Sequence, residues 1–117
     1  MVLAGEPLGA DDAYRSLKEG RIVPSINPIT VADGLRTSLG NHNFPIIKQL
    51  VHQIIRVDEK AIVAAMRLVW ERMKIIIEPS SAVALAAVII EKNKWKNKRV
   101  GIIVSGGNVD LLKLPFV

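Results

Sequence analysis

Residues 99–110 read RVGIIVSGGNVD. Val100 to Val104 is a short apolar run rich in Ile and Val, the composition of a strand buried on both faces of a parallel sheet. The run ends at Ser105-Gly106-Gly107-Asn108. A small hydroxyl at a strand's C-terminal end, followed by two glycines, lets a large group approach the backbone. In open α/β sheets, ligands bind at that end of the strands. A lone Gly-Gly would equally be a plain turn, so the surrounding chain decides.

Immediately upstream, Lys92 to Lys98 reads as a basic loop. Ser80 to Ile90, SSAVALAAVII, is apolar nearly all round and reads as a buried helix whose alanines permit close approach to a sheet. Ile75 to Pro79 breaks the chain between that helix and the clearest one, Glu59 to Lys74. Asp58 caps the latter, and Ile62, Val63, Met66, Val69, Trp70 and Met73 fall on one face at helical spacing, which is the pattern of core packing. Ile54 to Val57 is a strand candidate, and Phe44 to Gln53 reads as a helix with Asn43 as N-cap and Pro45 in its first turn. A short helix is expected over Leu35 to Leu39. Arg21 to Thr30, with Pro24 and Pro28, reads as an irregular loop. Ala10 to Glu19 reads as a helix, with Asp11 and Asp12 at the positive end of its dipole and Gly20 as its stop. Met1 to Gly5 reads as a strand ended by Glu6-Pro7. Asp110 to Val117 carries too little pattern to assign. Strands alternating with helices indicate an α/β fold with a parallel sheet and flanking helices. Three strand candidates make a small sheet, so part of the fold is expected to be missing.

Composition bounds the function. The chain has 117 residues, half of them hydrophobic, and is expected to form one domain or part of one. It has no cysteine, so disulfide and thiolate chemistry are excluded. No apolar run is long enough for a membrane span, and MVLAGEP lacks the basic and apolar regions of a signal peptide. A cytoplasmic location is expected. The net charge is +5, but Glu91 to Arg99, EKNKWKNKR, carries +4 of it. One basic hinge is a solvated loop rather than a nucleic-acid surface, with Trp95 covering a core edge.

Four stretches together carry a resemblance: VLAGEPLGADDAYRS, TVADGLRTSLG, LVWERMKIIIEPSSAVALAAV and VGIIVSGGNVDL. In this order they resemble the C-terminal part of the serine racemases and serine/threonine dehydratases (ammonia-lyases), fold-type II pyridoxal phosphate enzymes of tryptophan synthase beta-like architecture. The match runs from Val2 to Leu111.

The resemblance implies roles. Ser105 matches the serine that hydrogen-bonds the pyridine nitrogen of the cofactor; a neutral hydroxyl does not hold that nitrogen protonated as a carboxylate would. Gly34 of the ADG motif matches the glycine whose backbone lies beside the cofactor ring, and Glu78 matches the acid of the EP segment next to it. Glu6, Ala10 and Asp12 match a divalent-cation site built from two carboxylates and a backbone carbonyl, hard oxygen ligands suited to magnesium, calcium or manganese. Lys74 and Asn108 match positions that contact a nucleotide at the dimer interface of ATP-stimulated racemases. His42 and His52 are given no catalytic role.

The same family places three further features upstream of the matching part: the Schiff-base lysine of a Ser-x-Lys-x-Arg-Gly motif, a serine on the opposite cofactor face, and a glycine-rich loop for the cofactor phosphate. The lysine motif does not occur in these 117 residues, and Gly106-Gly107 is the sole Gly-Gly pair. No catalytic residue is therefore assigned. The expectation is a C-terminal segment of a racemase-like enzyme that interconverts L- and D-serine and dehydrates serine to pyruvate and ammonia, inactive as this chain alone. It is expected to form a homodimer or to pair with a full-length relative. The rival readings are a non-catalytic interaction protein pairing with such a relative, and a truncated gene product. An isolated part of a sheet is expected to be marginally stable.

Overall fold

A computed structural model describes residues 1–117. Two strands and four α-helices follow one another as β1 (Val2–Pro7), α1 (Asp12–Glu19), α2 (Phe44–Leu50), β2 (Val51–Val57), α3 (Glu59–Met73) and α4 (Pro79–Ile90). Single 3-10 turns occupy Leu8–Ala10, Asp33–Leu35 and Lys92–Trp95. β1 and β2 pair in parallel, from Val2 with Val51 to Pro7 with Val57, with an irregularity between Val2 and Leu3. This is the parallel α/β arrangement with flanking helices that the alternation of elements implies.

The core lies between this sheet and the α3–α4 pair. Ile55 and Val57 of β2 meet Ile62, Met66 and Val69 of α3 and Ala82, Val83 and Ala86 of α4 in one cluster. Asp58 starts α3 as its sequence implies: its Oδ1 accepts the Ala61 amide at 2.7 Å. The apolar stripe of α3 buries Ile62, Met66 and Val69, half-buries Val63 and Trp70, and leaves Met73 exposed. The indole N–H of Trp70 donates to the Ile77 carbonyl at 2.9 Å. Phe116 packs edge-on against the same indole, with ring centroids 5.5 Å apart, so the C-terminal tail folds back over α3. α4 comes close to β1, because a Cβ on Gly5 would lie 2.6 Å from the Val83 carbonyl oxygen.

Several boundaries differ from the sequence reading. The helix read over Phe44 to Gln53 ends at Leu50 and runs directly into β2, which starts at Val51 rather than Ile54. No glycine or proline marks that change; pairing with β1 draws Val51 to Gln53 into the strand. β1 continues through Glu6 and Pro7. Proline is tolerated at a strand's last position, where its missing N–H costs the ladder little. The helix read from Ala10 begins at Asp12, after a 3-10 turn. The short helix expected over Leu35 to Leu39 is replaced by the 3-10 turn at Asp33–Leu35. Asn43 holds the N-cap position of α2 without capping it through its side chain; its Oδ1 accepts the Gly40 amide at 2.8 Å instead. α4 is buried or half-buried from Pro79 to Val88, as its apolar sequence implies, and only its last two residues, Ile89 and Ile90, are exposed.

The largest departure concerns Val100 to Val104. It forms no strand: no backbone N–H or C=O of residues 99–104 pairs within the chain. Ile103 is 82% exposed. The composition suits a central strand, but strand formation needs neighbours, and the sheet stops at two strands. A cleft of about 720 Å³ separates this segment from β1, floored by Ala84, Ala87 and Val88 of α4.

Candidate functional site

Two groups of site residues assemble at different places. The first gathers at the start of α4. Glu78 and Pro79 open that helix, with Pro79 in its first turn, where a missing N–H is tolerated. The next two residues, Ser80 and Ser81, each hold a separate loop. The Ser80 hydroxyl accepts the Gly34 amide at 3.1 Å. The Ser81 hydroxyl accepts the Gly106 amide at 3.0 Å and donates to the Gly106 carbonyl at 3.1 Å. The backbone N–H of Glu78 donates to that same carbonyl at 3.1 Å. The ADG turn and the SGGN loop, far apart in sequence, are thus pinned to adjacent residues of one helix.

The glycines of this site differ in how much room they have. A Cβ on Gly106 would displace the Glu78 carboxylate, the end of a flexible side chain. A Cβ on Gly107 would lie 2.6 Å from the Ile76 carbonyl oxygen. Glu78 is half-buried against the SGGN loop, while Ser105 stands exposed just before the pinned Gly106. The structure therefore brings Gly34, Glu78 and Ser105 to one neighbourhood. Ser80 and Ser81 were not legible as site residues. In sequence they are only the polar start of an apolar helix, and their partners are set by tertiary contact.

The second group lies at the C-terminal end of β1. Glu6 is buried and directed at the start of α1. Its Oε1 accepts the Ala13 amide at 2.9 Å, and its Oε2 accepts the Tyr14 amide at 2.8 Å. These are orphan donors of a helix N-terminus, so Glu6 serves as a side-chain cap from another element. Burial nonetheless pushes its carboxyl up from 4.5 to about 7, against those two hydrogen bonds and helped by the neighbouring charges of Asp12 and Asp11. Asp12 is also buried, and burial raises its carboxyl too. Its Oδ2 has no hydrogen-bond partner. Ala10, buried, precedes it in the 3-10 turn. Asp11 points elsewhere, bridging Arg15 at 2.9 Å and Arg56 at 3.0 Å. Glu6 and Asp12 remain a pair: no group of three or more His, Cys, Asp or Glu side chains gathers in metal-binding geometry.

Lys74 and Asn108 are both exposed, Lys74 in a left-handed conformation (φ 59°) that ends α3. His42 and His52 are exposed as well. Lys92, Lys94, Lys96 and Lys98 are exposed in the basic loop, and Trp95 packs against the core edge. No helix is long and apolar enough to cross a membrane.

Comparison with known proteins places the two-loop arrangement in context. The family described as pyridoxal-phosphate dependent enzyme matches residues 1–106. The chain belongs to the pyridoxal-phosphate dependent enzymes. Within this family, the chain is 58% identical to a serine racemase of Dictyostelium discoideum over 99% of its length, spanning 37% of that protein. It is 48% identical to a beta-hydroxyaspartate dehydratase of Paracoccus denitrificans over 98% of its length, spanning 36% of that protein. The solved structure of maize serine racemase superposes with a TM-score of 0.88 at 46% identity, covering 93% of this chain and 35% of the maize one. The fold is thus that of fold-type II pyridoxal phosphate enzymes, and the chain spans little more than a third of the relatives it matches.

Proposed function

We propose that this chain is a C-terminal segment of a serine racemase-like enzyme and supplies one wall of its cofactor site. The carrying observation is that Ser80 and Ser81 pin Gly34 and Gly106 to one helix start. This supports a reading in which a flat ring rests against Ser105, exposed, and the Gly34 backbone. The glycines fit such a ring, since they leave the backbone bare. Pyridoxal phosphate, when bound, supplies an electron sink for the substrate's α-carbon. Ser105 would hydrogen-bond the ring nitrogen while remaining neutral, Gly34 would lie along the ring, and Glu78 would hold the SGGN loop beside it. In the complete enzyme the substrate is serine, with racemisation and dehydration to pyruvate and ammonia as the reactions.

Glu6, the Ala10 carbonyl and Asp12 would hold a divalent cation such as magnesium, calcium or manganese. Two buried carboxylates with raised pKa values, one with an unpartnered oxygen, form an environment that a hard cation would relieve. Lys74 and Asn108 would face a nucleotide, ATP, at a dimer surface, and the setting would be cytoplasmic.

This chain holds no lysine in the family's Ser-x-Lys-x-Arg-Gly motif. Alone, it is expected to be inactive. The test is to incubate the purified chain with pyridoxal phosphate and L-serine, with and without the remainder of the Dictyostelium discoideum serine racemase as a separate polypeptide. Pyruvate and D-serine are expected only with the remainder, and are expected to fall when Ser105→Ala is used. Turnover by the chain alone overturns the reading.

The open cleft beside β1 favours a second reading, a non-catalytic protein that pairs with a full-length relative. Its test is retention of the chain by intact serine racemase in a pull-down. The intact mass of the native protein separates both readings from a truncated gene product.

A further inference from the structure

The turn that carries Gly34 is braced from within. Arg36 donates from Nε and Nη2 to the Thr30 carbonyl, at 3.1 and 2.6 Å, and the Thr30 hydroxyl accepts the Ala32 amide at 3.1 Å. Ala32 is fully buried, and Leu35 packs against the same core. Apolar contact of this kind holds the turn down but is non-directional. Direction comes from two hydrogen bonds to the helical pair. In one, the Gly34 amide donates to the Ser80 hydroxyl of α4. In the other, the Val31 amide donates to Oε2 of Glu59, the first residue of α3, at 2.7 Å. That amide is the one hydrogen-bond partner of the Glu59 carboxylate, whose Oε1 is buried with none. α3 and α4 share one core cluster, so both ties hang from a single packed body. A Cβ on Gly34 would stand 3.0 Å from the Ser80 Oγ, so the turn already lies close against α4 and a small tilt changes that approach.

We propose that Glu59 is a positioning residue for the cofactor site: through Val31 it fixes the tilt of the Thr30–Arg36 turn, and with it the place of the Gly34 backbone. The inference rests on the reading of Gly34 as the residue that lies along the ring. With Ser80 alone, the turn could pivot about the Gly34 hydrogen bond. The Val31 tie, together with the packed Ala32, removes that freedom. Glu59 acts only through the main chain. Its competing duty is the ordinary one of an acid in a helix's first turn, where the dipole favours negative charge. The two duties call on different properties of the side chain. Holding Val31 needs an acceptor oxygen at full reach, whereas serving the dipole needs a charge.

The test makes two mild substitutions in the full 117-residue chain, free of cofactor, and follows amide exchange by NMR. Glu59→Asp keeps the charge and draws the acceptor back by about 1.5 Å, one carbon–carbon bond. Glu59→Gln keeps the acceptor and removes the charge. Glu59→Asp is expected to speed exchange at Val31 and Gly34 by about tenfold relative to the amides of α3, and Glu59→Gln by less than about twofold. The reverse order overturns the proposal, because the charge and not the tie is then what matters. Equal acceleration across α3 and the turn in both variants also overturns it, since Glu59 then contributes only general stability. A second readout uses each variant joined with the remainder of the Dictyostelium discoideum serine racemase. Glu59→Asp is expected to weaken pyridoxal phosphate binding by about threefold or more and to change the bound cofactor's fluorescence, while Glu59→Gln matches the parent chain. Exchange that responds as expected while cofactor binding does not upholds the tie and overturns the reading of Gly34 as the ring contact.

Discussion

The Ser81 hydroxyl bonds both backbone groups of Gly106, accepting its N–H at 3.0 Å and donating to its C=O at 3.1 Å. One side chain thus sets the position of the loop that carries Ser105. Ser81→Ala would leave the Gly106 amide unpartnered and should cost about 1–2 kcal/mol. The specific readout is hydrogen exchange: the Gly106 amide should speed up more than those of α3. Uniform acceleration throughout would mean that Ser81 contributes only to general stability.

Glu6 makes stability pH-dependent. Its carboxyl is raised in the fold from 4.5 to about 7, so the native state holds a proton that the unfolded chain releases. The favourable contribution is complete below about 4.5 and is lost as pH rises through about 7. The loss is at most about 3 kcal/mol. Melting temperature should therefore fall between pH 4.5 and 7.5, and Glu6→Gln should flatten that fall. An unchanged slope in the variant would assign it to other groups.

A cation between Glu6 and Asp12 should oppose the same loss. Millimolar magnesium or calcium at pH 7.5 should raise the melting temperature, and Asp12→Asn should abolish the increase. If neither ion has an effect while the chain is folded, the cation assignment fails.

Only 22 of 117 residues are buried, while Ile75, Ile76, Ile103 and Leu112 are exposed. So little interior leaves the isolated chain marginally stable or prone to aggregate. Met66 is fully buried in the one core cluster, and Met66→Ala should remove about 2–5 kcal/mol, enough to unfold it. Circular dichroism melts would show this. A sharp, reversible transition in the variant would mean that the fold has more reserve than its burial indicates.

Locally determined features were legible in the sequence. Asp58 and the Ile62–Met66–Val69 stripe carry their meaning within a few residues, and α3 forms as they imply. Gly34, Glu78 and Ser105 could be singled out through the motifs around them, and they do converge. What escaped depends on partners. Val100 to Val104 has the composition of a central strand but lacks neighbours to pair with. Leu50 and Val51 show no local break, because β1 decides where β2 begins. Ser80 and Ser81 acquire their roles only when two distant loops reach them. Glu6 reads as a ligand in its motif, and its capping of α1 is visible only once β1 and α1 meet.

The parallel register joins residue 2 to residue 51, so forming the sheet closes a loop of about fifty residues. The α3–α4 pair closes a much shorter one. Loop closure costs entropy before distant contacts can offset it, and high contact order slows folding. The helical hairpin should consequently assemble first and act as the template on which β2 and then β1 dock. A newly made chain would thus spend its early life as a helical pair with its strands still waiting for an edge.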